Sequence, residues 1–323
     1  MVKTIWALMD DRRGSVSQAK GVLQALNAEQ FKIEEKKIEY TKWAGLPNWL
    51  RGRSLLGITA ASKAQIKAPY PDIVLSISRR TAPVARYLKK VSPHTKIVQL
   101  MHPGNAGLGE FDAVIVPEHD SGKKKTDKTH YIIGCPHQVT KTYLTEAKAK
   151  WGNEFSNLPH PLTAVIIGGA IKKKPFSAEN ARALADAIKK LKQQIGGSIL
   201  LTTSRRTGEQ AQKIIVDALQ DVPQYAYLWG DTRPNPYSGF LACADNIVVT
   251  GDSVSMCCEA TGTGKPIYIF RGQNWLTPKH QRFISSLIKK QCAILLEDDN
   301  AGNFKPQNSL NAAAEIAAII ADL

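Results

Sequence analysis

Long apolar runs are missing from this chain of 323 residues. No stretch approaches the roughly 20 residues of a spanning helix, so a helical membrane protein is not expected. Cysteine is scarce and unpatterned: Cys135, Cys243, Cys257, Cys258 and Cys292 form no C-x-x-C pair and have no histidine at zinc spacing. Their odd count and apolar settings point to a reducing compartment, and no metal site is expected. The opening MVKTIWALMDDRRG meets two aspartates too soon for a signal peptide and reads as a first strand. These absences together give a cytoplasmic protein as the expectation, with room for peripheral contact with an inner membrane. Acidic residues are also short, with 28 Asp and Glu against 43 Lys and Arg, a net charge of +15. That excess favours anionic partners without choosing among them, and much of it reads as solvated helix faces and the runs at 123–125 and 172–174. No recognition motif accompanies the charge, so nucleic acid is not expected as a partner.

Two phosphate-loop signatures fail on spacing. Gly264-Lys265 has Glu259 where a Walker loop needs its first glycine and Pro266 where it needs a hydroxyl, and Ile267 stands where a dinucleotide fingerprint needs its third glycine. What is present is the stretch from Asn246 to Phe270, in which two apolar runs, 247–249 and 267–270, flank a segment with room only for a compact crossover helix. Gly251 permits a tight turn after the first strand, and Asp252 or Ser253 can cap the helix. The helix start then presents free N–H groups, its positive dipole end and the Ser253 and Ser255 hydroxyls, a natural seat for a phosphate. Glu259 follows one turn beyond Ser255, placed to hold a ribose diol. An ordinary crossover without a ligand is an equally good reading of these residues alone.

Along the chain, strands alternate with helices in two series, which argues for parallel sheets. In the first, strands are expected at 4–9, 33–38, 72–78, 96–101 and 113–116, each ending in polar residues: Asp10-Asp11-Arg12-Arg13, Arg79-Arg80-Thr81, His102-Pro103-Gly104 and Pro117-Glu118-His119 among them. Loops at the carboxyl ends of such strands line ligand crevices, so Asp10 or Asp11 is a candidate general base and Arg79, Arg80, His102 and His119 are candidates for binding substrate. Helix capping or pairing with nearby arginines is the competing account of both aspartates. The segment from Trp43 to Leu56 mixes tryptophan and leucine with Lys42, Arg51 and Arg53, and reads either as a loop and helix folded onto the core or as a contact for an anionic membrane. A junction is expected between 134 and 161, with a helix at 139–151. The second series has strands at 163–167, 198–203, 226–229, 247–249 and 267–270, a short one at 293–296, and a final helix at 310–320. Ser-Arg-Arg-Thr occurs at 78–81 and again at 204–207, each time between a strand and a helix. Paired guanidiniums there make an anion site.

The motifs DDRRGSVSQAKGVL, SRRTAPVARYLKK, QLMHPG, FDAVIVPEHD, SRRT, NPYSGFLACAD and VVTGDSVSMCCEATGTGKPIYIF run in order from the first strand past residue 270. Together they resemble the bacterial branch of the family named for the plant mitochondrial-fission factor of elongated-mitochondria mutants. That resemblance implies an α/β, GT-B-like architecture: two Rossmann-like domains with parallel sheets facing across a cleft. The domains implied are 1–150 on the acceptor side and 151–308 on the nucleotide-sugar donor side, with a last helix, 309–323, packing back on the first. It also implies that Glu259 holds the donor ribose, that Gly168-Gly169 is the glycine loop of the donor domain, and that Gly251, Asp252, Ser253 and Ser255 form the diphosphate-binding helix start. Ser204, Arg205 and Arg206 form a cationic loop that offsets leaving-group charge, and Asp10 or Asp11 supplies the acceptor base.

The function this implies is an inverting, metal-independent glycosyltransferase that uses a nucleotide sugar, with no separate cofactor. Its acceptor is unnamed, with lipid-linked and cell-envelope glycans as the classes considered. Two alternatives stand beside it: a nucleotide-sugar 2-epimerase-like enzyme, which needs no acceptor, and a non-catalytic adaptor that recruits partners to a membrane surface, as the plant member is regarded as doing.

Overall fold

A computed structural model describes residues 2–122 and 124–323; Met1 and Lys123, the first of the lysine run at 123–125, lie outside the described residues. The chain forms two compact units, one running through Gln138 and completed by Asn311–Leu323, the other Val139–Leu310. Among the described residues no helix is long and apolar enough to cross a membrane.

The first unit contains β1 (Lys3–Met9), α1 (Arg13–Ala25), β2 (Phe31–Lys37), the short α2 (Asn48–Arg51) and α3 (Ala60–Ala64), β3 (Ile73–Ile77), α4 (Ser78–Val91), β4 (Lys96–Leu100), β5 (Ala113–Pro117) and β6 (Thr129–Ile132). Its sheet is parallel throughout, in the order β2-β1-β3-β4-β5-β6. Central strands read as unbroken apolar runs because both faces are covered, and every residue of β3 and β5 is buried. The period of two in β1 divides the core. Ile5, Ala7 and Met9 face Val22 and Leu23 of α1, whereas Trp6 and Leu8 face Val84 and Leu88 of α4. The last helix of the chain, Ala312–Ala321, belongs to this unit and packs Ile316 and Ile320 into the first of these layers. The edge strand β6, with its half-exposed THYI, carries no clear apolar pattern, and the sequence reading misses it.

The second unit contains α5 (Lys141–Phe155), β7 (Leu162–Ile167), α6 (Ala178–Ile195), β8 (Ser198–Thr203), α7 (Glu209–Ala218), β9 (Gln224–Tyr227), α8 (Tyr237–Cys243), β10 (Asn246–Thr250), α9 (Val254–Thr261), β11 (Ile267–Phe270), α10 (Pro278–Lys289) and β12 (Ile294–Leu295); the last helix is α11. Its parallel sheet has the order β12-β11-β10-β7-β8-β9, so the chain goes one way from β7 through β8 to β9, then crosses back to β10 on the other side. That is the doubly wound order of nucleotide-binding domains, and its switch point lies between β7 and β10. In the first unit the corresponding point lies between β1 and β3.

The turn from β3 into α4 shows how a switch-point loop is made. Ser78 opens the helix with φ +74°, a left-handed conformation that is costly for serine. A buried polar cluster holds it: Ser76 Oγ donates to Gln99 Oε1 at 2.8 Å, Gln99 Nε2 donates to the Ser78 carbonyl at 3.1 Å, and the Thr81 hydroxyl donates to the Ile77 carbonyl at 2.5 Å. Pro83 has no N–H for the carbonyl of Arg79 four residues earlier, and the Asn48 side-chain amide takes that carbonyl instead at 2.9 Å.

Close packing also dictates the α1 face. A Cβ built on Gly21 would stand 2.5 Å from the His137 carbonyl oxygen, a backbone atom that cannot swing away. Gly21→Ala is therefore expected to destabilise the protein by about 1–3 kcal/mol despite alanine's better helix propensity, read from the midpoint of urea unfolding.

Candidate functional site

At the switch point of the second unit the loops after β7, β8 and β10 converge on one buried carboxylate. Asp252 accepts from the Gly169 N–H at 2.9 Å and from the Thr250 hydroxyl at 2.8 Å, and it pairs with Arg206 Nη1 at 2.9 Å. The two glycines are required by this contact. A Cβ on Gly168 would lie 2.3 Å from the Asp252 carboxylate, and one on Gly169, whose φ is +148°, would lie 2.0 Å from the Arg206 carbonyl oxygen. Hydroxyls of Ser204 and Thr207 both donate to the Gly168 carbonyl at 2.6 Å. Burial raises the Asp252 pKa, and the Arg206 charge opposes that rise. Gly168, Gly169, Asp252 and Arg206 thus engage one another and build the frame of the loop cluster.

Four of the remaining candidates line an open cavity of about 500 Å³ beside that frame. Ser204, Arg205, Ser255 and Glu259 are on its wall, together with Thr202 and Thr203 at the end of β8 and the segment from Tyr227 to Asp231. Ser253 caps α9 by accepting from the Met256 N–H, as expected for one of the two capping candidates, and its hydroxyl lies 3.4 Å from that of Ser255. Gly251 serves packing rather than the cavity: a Cβ there would meet Ile284 Cδ1 of α10 at 2.6 Å.

Glu259 is half-buried and receives the Tyr237 hydroxyl at 2.5 Å. Burial raises its pKa, with the Tyr237 hydrogen bond pulling the other way. The phenols of Tyr237 and Tyr143 are also pushed up, in each case by burial first and the Glu259 charge second. The carboxylate is held in one orientation by a donor that cannot easily lose its proton.

Trp229, Asp231 and Tyr237 also line the cavity, and sequence reasoning assigned them no role. Trp229 is 60% exposed, while its backbone N–H is fixed by the Thr203 hydroxyl at 2.8 Å. The signal available was YLWGDTRPNPY, an aromatic residue followed by turn formers at the carboxyl end of a strand. Reading 226–229 as a strand to its end hid it, because β9 stops at Tyr227.

In the first unit the switch point brings Asp10 and Asp11 onto Arg80. Arg80 Nη2 donates to Asp10 Oδ1 at 2.6 Å and to Asp11, and its Nη1 reaches Asp11 Oδ2 at 3.1 Å. The Arg80 hydrogen bond holds Asp11 below the usual aspartate range. The guanidinium also covers the Tyr40 ring at 4.2 Å. Arg79 is exposed and donates to the Leu46 carbonyl at 3.2 Å. His102 is engaged at both ring nitrogens, with Lys124 O at 2.8 Å from Nε2 and the Gly104 N–H at 3.1 Å from Nδ1. His119 is buried in the turn after β5. The two Ser-Arg-Arg-Thr segments, the first turn of α4 and the loop after β8, play parallel parts: the second arginine, Arg80 or Arg206, pairs with an aspartate, and the first, Arg79 or Arg205, stays outward.

A family model described as Mitochondrial fission ELM1 matches residues 13–323. An uncharacterised protein of Rickettsia prowazekii is 31% identical over 347 residues, covering 97% of this chain and 97% of that protein. Mitochondrial fission protein ELM1 of Arabidopsis thaliana is 32% identical over 235 residues, covering 66% of this chain and 54% of the plant protein. Among solved structures, the UDP-GlcNAc 2-epimerase of Methanocaldococcus jannaschii matches with a TM-score of 0.56 at 14% identity, covering all of both chains. MurG of Acinetobacter baumannii matches with a TM-score of 0.52 at 12% identity, covering 99% of this chain and 100% of that one. These likenesses establish a GT-B-like fold of two Rossmann-like units, as expected from the motifs.

The buried acid of the cavity has a measurable signature. Because the folded-state pKa of Glu259 is raised, ionised Glu259 weakens folding at neutral pH, and that cost vanishes where the group is protonated in both states. Glu259→Gln without ligand is expected to be more stable than the parent protein at pH 7. The difference should shrink as pH falls towards the ordinary glutamate range of about 4.3, as followed by denaturant melts.

Proposed function

The chain belongs to the mitochondrial fission ELM1 family, and from that premise we propose that its second unit binds a nucleoside diphosphate sugar and transfers the sugar with inversion, without a metal. The observation that carries this reading is the composition of one cavity at the β7/β10 switch point. It gathers an oriented carboxylate at Glu259, a helix start at Ser255, an outward cation at Arg205 and an exposed indole at Trp229. Each matches one part of such a donor. The base stacks on Trp229, the ribose diol donates to Glu259, and the diphosphate takes the α9 N–H groups and Arg205.

In the reaction an acceptor hydroxyl attacks the anomeric carbon, the bond from that carbon to the diphosphate oxygen breaks, and the diphosphate leaves with the electron pair. The α9 dipole and Arg205 offset the charge that develops on it. Asp10 and Asp11 keep the acceptor-side role, one of them taking the hydroxyl proton. Arg80 fixes the pair in place and holds Asp11 below the usual aspartate range.

Thermal unfolding against nucleotide sugars and free diphosphates tests the donor part, with uridine compounds first because of the names of the fold neighbours. A ligand at a hundred times its dissociation constant adds about 2.7 kcal/mol. A selective rise in midpoint with one nucleotide class, lost in Glu259→Ala and reduced in Trp229→Ala, is expected. No rise with any of them, in a protein shown to be folded, would sink the reading. Asp10→Asn and Asp11→Asn separate binding from turnover: replacing the base should leave the shift and abolish transfer. An isomerised sugar from donor alone would replace transfer by a 2-epimerase reaction.

One observation favours the surface-adaptor reading as a second function. Trp43, Trp49, Leu50 and Leu56 are 51%, 70%, 50% and 41% exposed, and the sequence from Tyr40 to Pro71 holds five Lys and Arg with no Asp or Glu. Exposed indoles beside uncompensated positive charge suit an anionic bilayer. Sedimentation with anionic vesicles at low salt, weakened in Trp43→Ser/Trp49→Ser, is the expected result; equal sedimentation of both proteins removes the patch from consideration.

A further inference from the structure

Arg51, at the end of α2, is 1% exposed, and among the described residues no carboxylate pairs with it. Its Nε donates to the Leu56 carbonyl at 3.1 Å, and among the described residues neither Nη1 nor Nη2 has a hydrogen-bond partner. Burial pulls its pKa down; the Tyr40 phenol opposes this, and the charges of Arg79 and Arg80 add to it. Asp10 Oδ1 and Asp11 share Arg80, while Asp10 Oδ2 is buried without a hydrogen-bond partner among the described residues, and Glu110 pairs with Arg86 at 2.7 Å and Arg53 at 3.0 Å. A guanidinium does not shed its proton in a protein, so Arg51 is a buried cation facing two others. Such a charge is costly unless an anion joins it.

Its position shows where that anion belongs. Asn48, one turn earlier on α2, donates through Nδ2 to the Arg79 carbonyl at 2.9 Å and to the Pro103 carbonyl at 3.0 Å. The short helix is thereby tied to the loops that follow β3 and β4. Two non-glycine residues hold left-handed backbone there, Ser78 at φ +74° and Met101 at φ +63°, the kind of strain that collects at ligand sites. Asn48 is itself 7% exposed, and its Oδ1 has no donor.

We propose that Arg51 and Arg79 receive a phosphoryl group at the switch point of the first unit, with Asn48 Oδ1 accepting from a hydroxyl beside it. Two guanidiniums that carry no carboxylate match the double charge and several oxygens of a phosphate better than the single charge of a carboxylate. The site rests on the first unit alone and stands or falls independently of the donor cavity. The same segment carries exposed Trp43 and Trp49, so the phosphoryl group can come from a dissolved phosphate ester or from a lipid headgroup.

The test uses the full chain carrying Arg205→Ala, so that the cavity of the second unit contributes little to anion binding. Pyrophosphate and inorganic phosphate are titrated calorimetrically against sodium chloride of equal ionic strength. Vesicles of phosphatidylcholine with and without phosphatidic acid form the second arm. Binding of phosphate or pyrophosphate, or selective binding of the phosphatidic acid vesicles, is expected, and adding Arg51→Met should weaken it about tenfold or more. In phosphate-free buffer Arg51→Met should melt no lower than its parent, because it removes an uncompensated buried charge. If Arg51→Met does not fold, Arg79→Ala, which alters an exposed side chain, carries the same expectation of weaker binding. The proposal is overturned if neither probe binds, or if the folded variants bind as tightly as their parent.

Discussion

The fold of each unit turns on one buried aspartate held by an arginine from a neighbouring strand's loop. In the second unit Asp252 ties the loops after β7, β8 and β10 together through Gly169, Arg206 and Thr250. In the first, Asp10 and Arg80 join the loop after β1 to the first turn of α4, which follows β3 directly. A parallel sheet leaves its carboxyl-end loops to find partners for their own backbone groups, and strand order reverses at just these points. A carboxylate that accepts several bonds at once meets that need where no ladder can. The arrangement also explains why glycine stands at 168 and 169: any side chain there would occupy the space of the carboxylate or of the Arg206 backbone.

This constraint divides labour within motifs that look uniform. Of the two arginines in each Ser-Arg-Arg-Thr segment, one pairs with an aspartate and the other remains outward, so only one of the two charges is left without a carboxylate among the described residues. In the second unit the lining of the cavity includes Arg205, Ser255 and Glu259 together with Trp229. The first unit has a surplus. Arg80 engages both aspartates, and among the described residues no acid pairs with Arg51 or Arg79.

Much of the architecture was legible because parallel strands covered on both faces must be apolar throughout. The strands at 73–77, 113–117, 162–167, 198–203 and 246–250 announce themselves as runs of Val, Ile, Leu and Ala interrupted only by Ser, Thr, Asn and Pro, with no charged residue. Edge strands lack that covering, so β6 went unseen and β9 was shifted by two residues. The crossover from Asn246 to Phe270 was readable to its cap at Ser253, since a strand, a short polar turn and a helix follow each other locally there. Trp229 and Tyr237 were not, because a cavity wall is made by residues from separate loops, and nothing within one loop marks which neighbour it will meet.

Sequence alone determined the α/β class, the two series of strands, the family and the loops in which chemistry had to be sought. Those features depend on local periodicity, on residues adjacent in the chain and on motifs in a set order. Tertiary structure alone decided which charges were spoken for: that Asp252 holds Arg206, that Tyr237 holds Glu259, and that Arg51 is buried with neither Nη1 nor Nη2 partnered among the described residues. The reason is physical. Pairing and burial depend on distances between residues from 22 to 70 positions apart in the chain, and the sign of a residue's charge says nothing about which opposite charge the fold will bring to it.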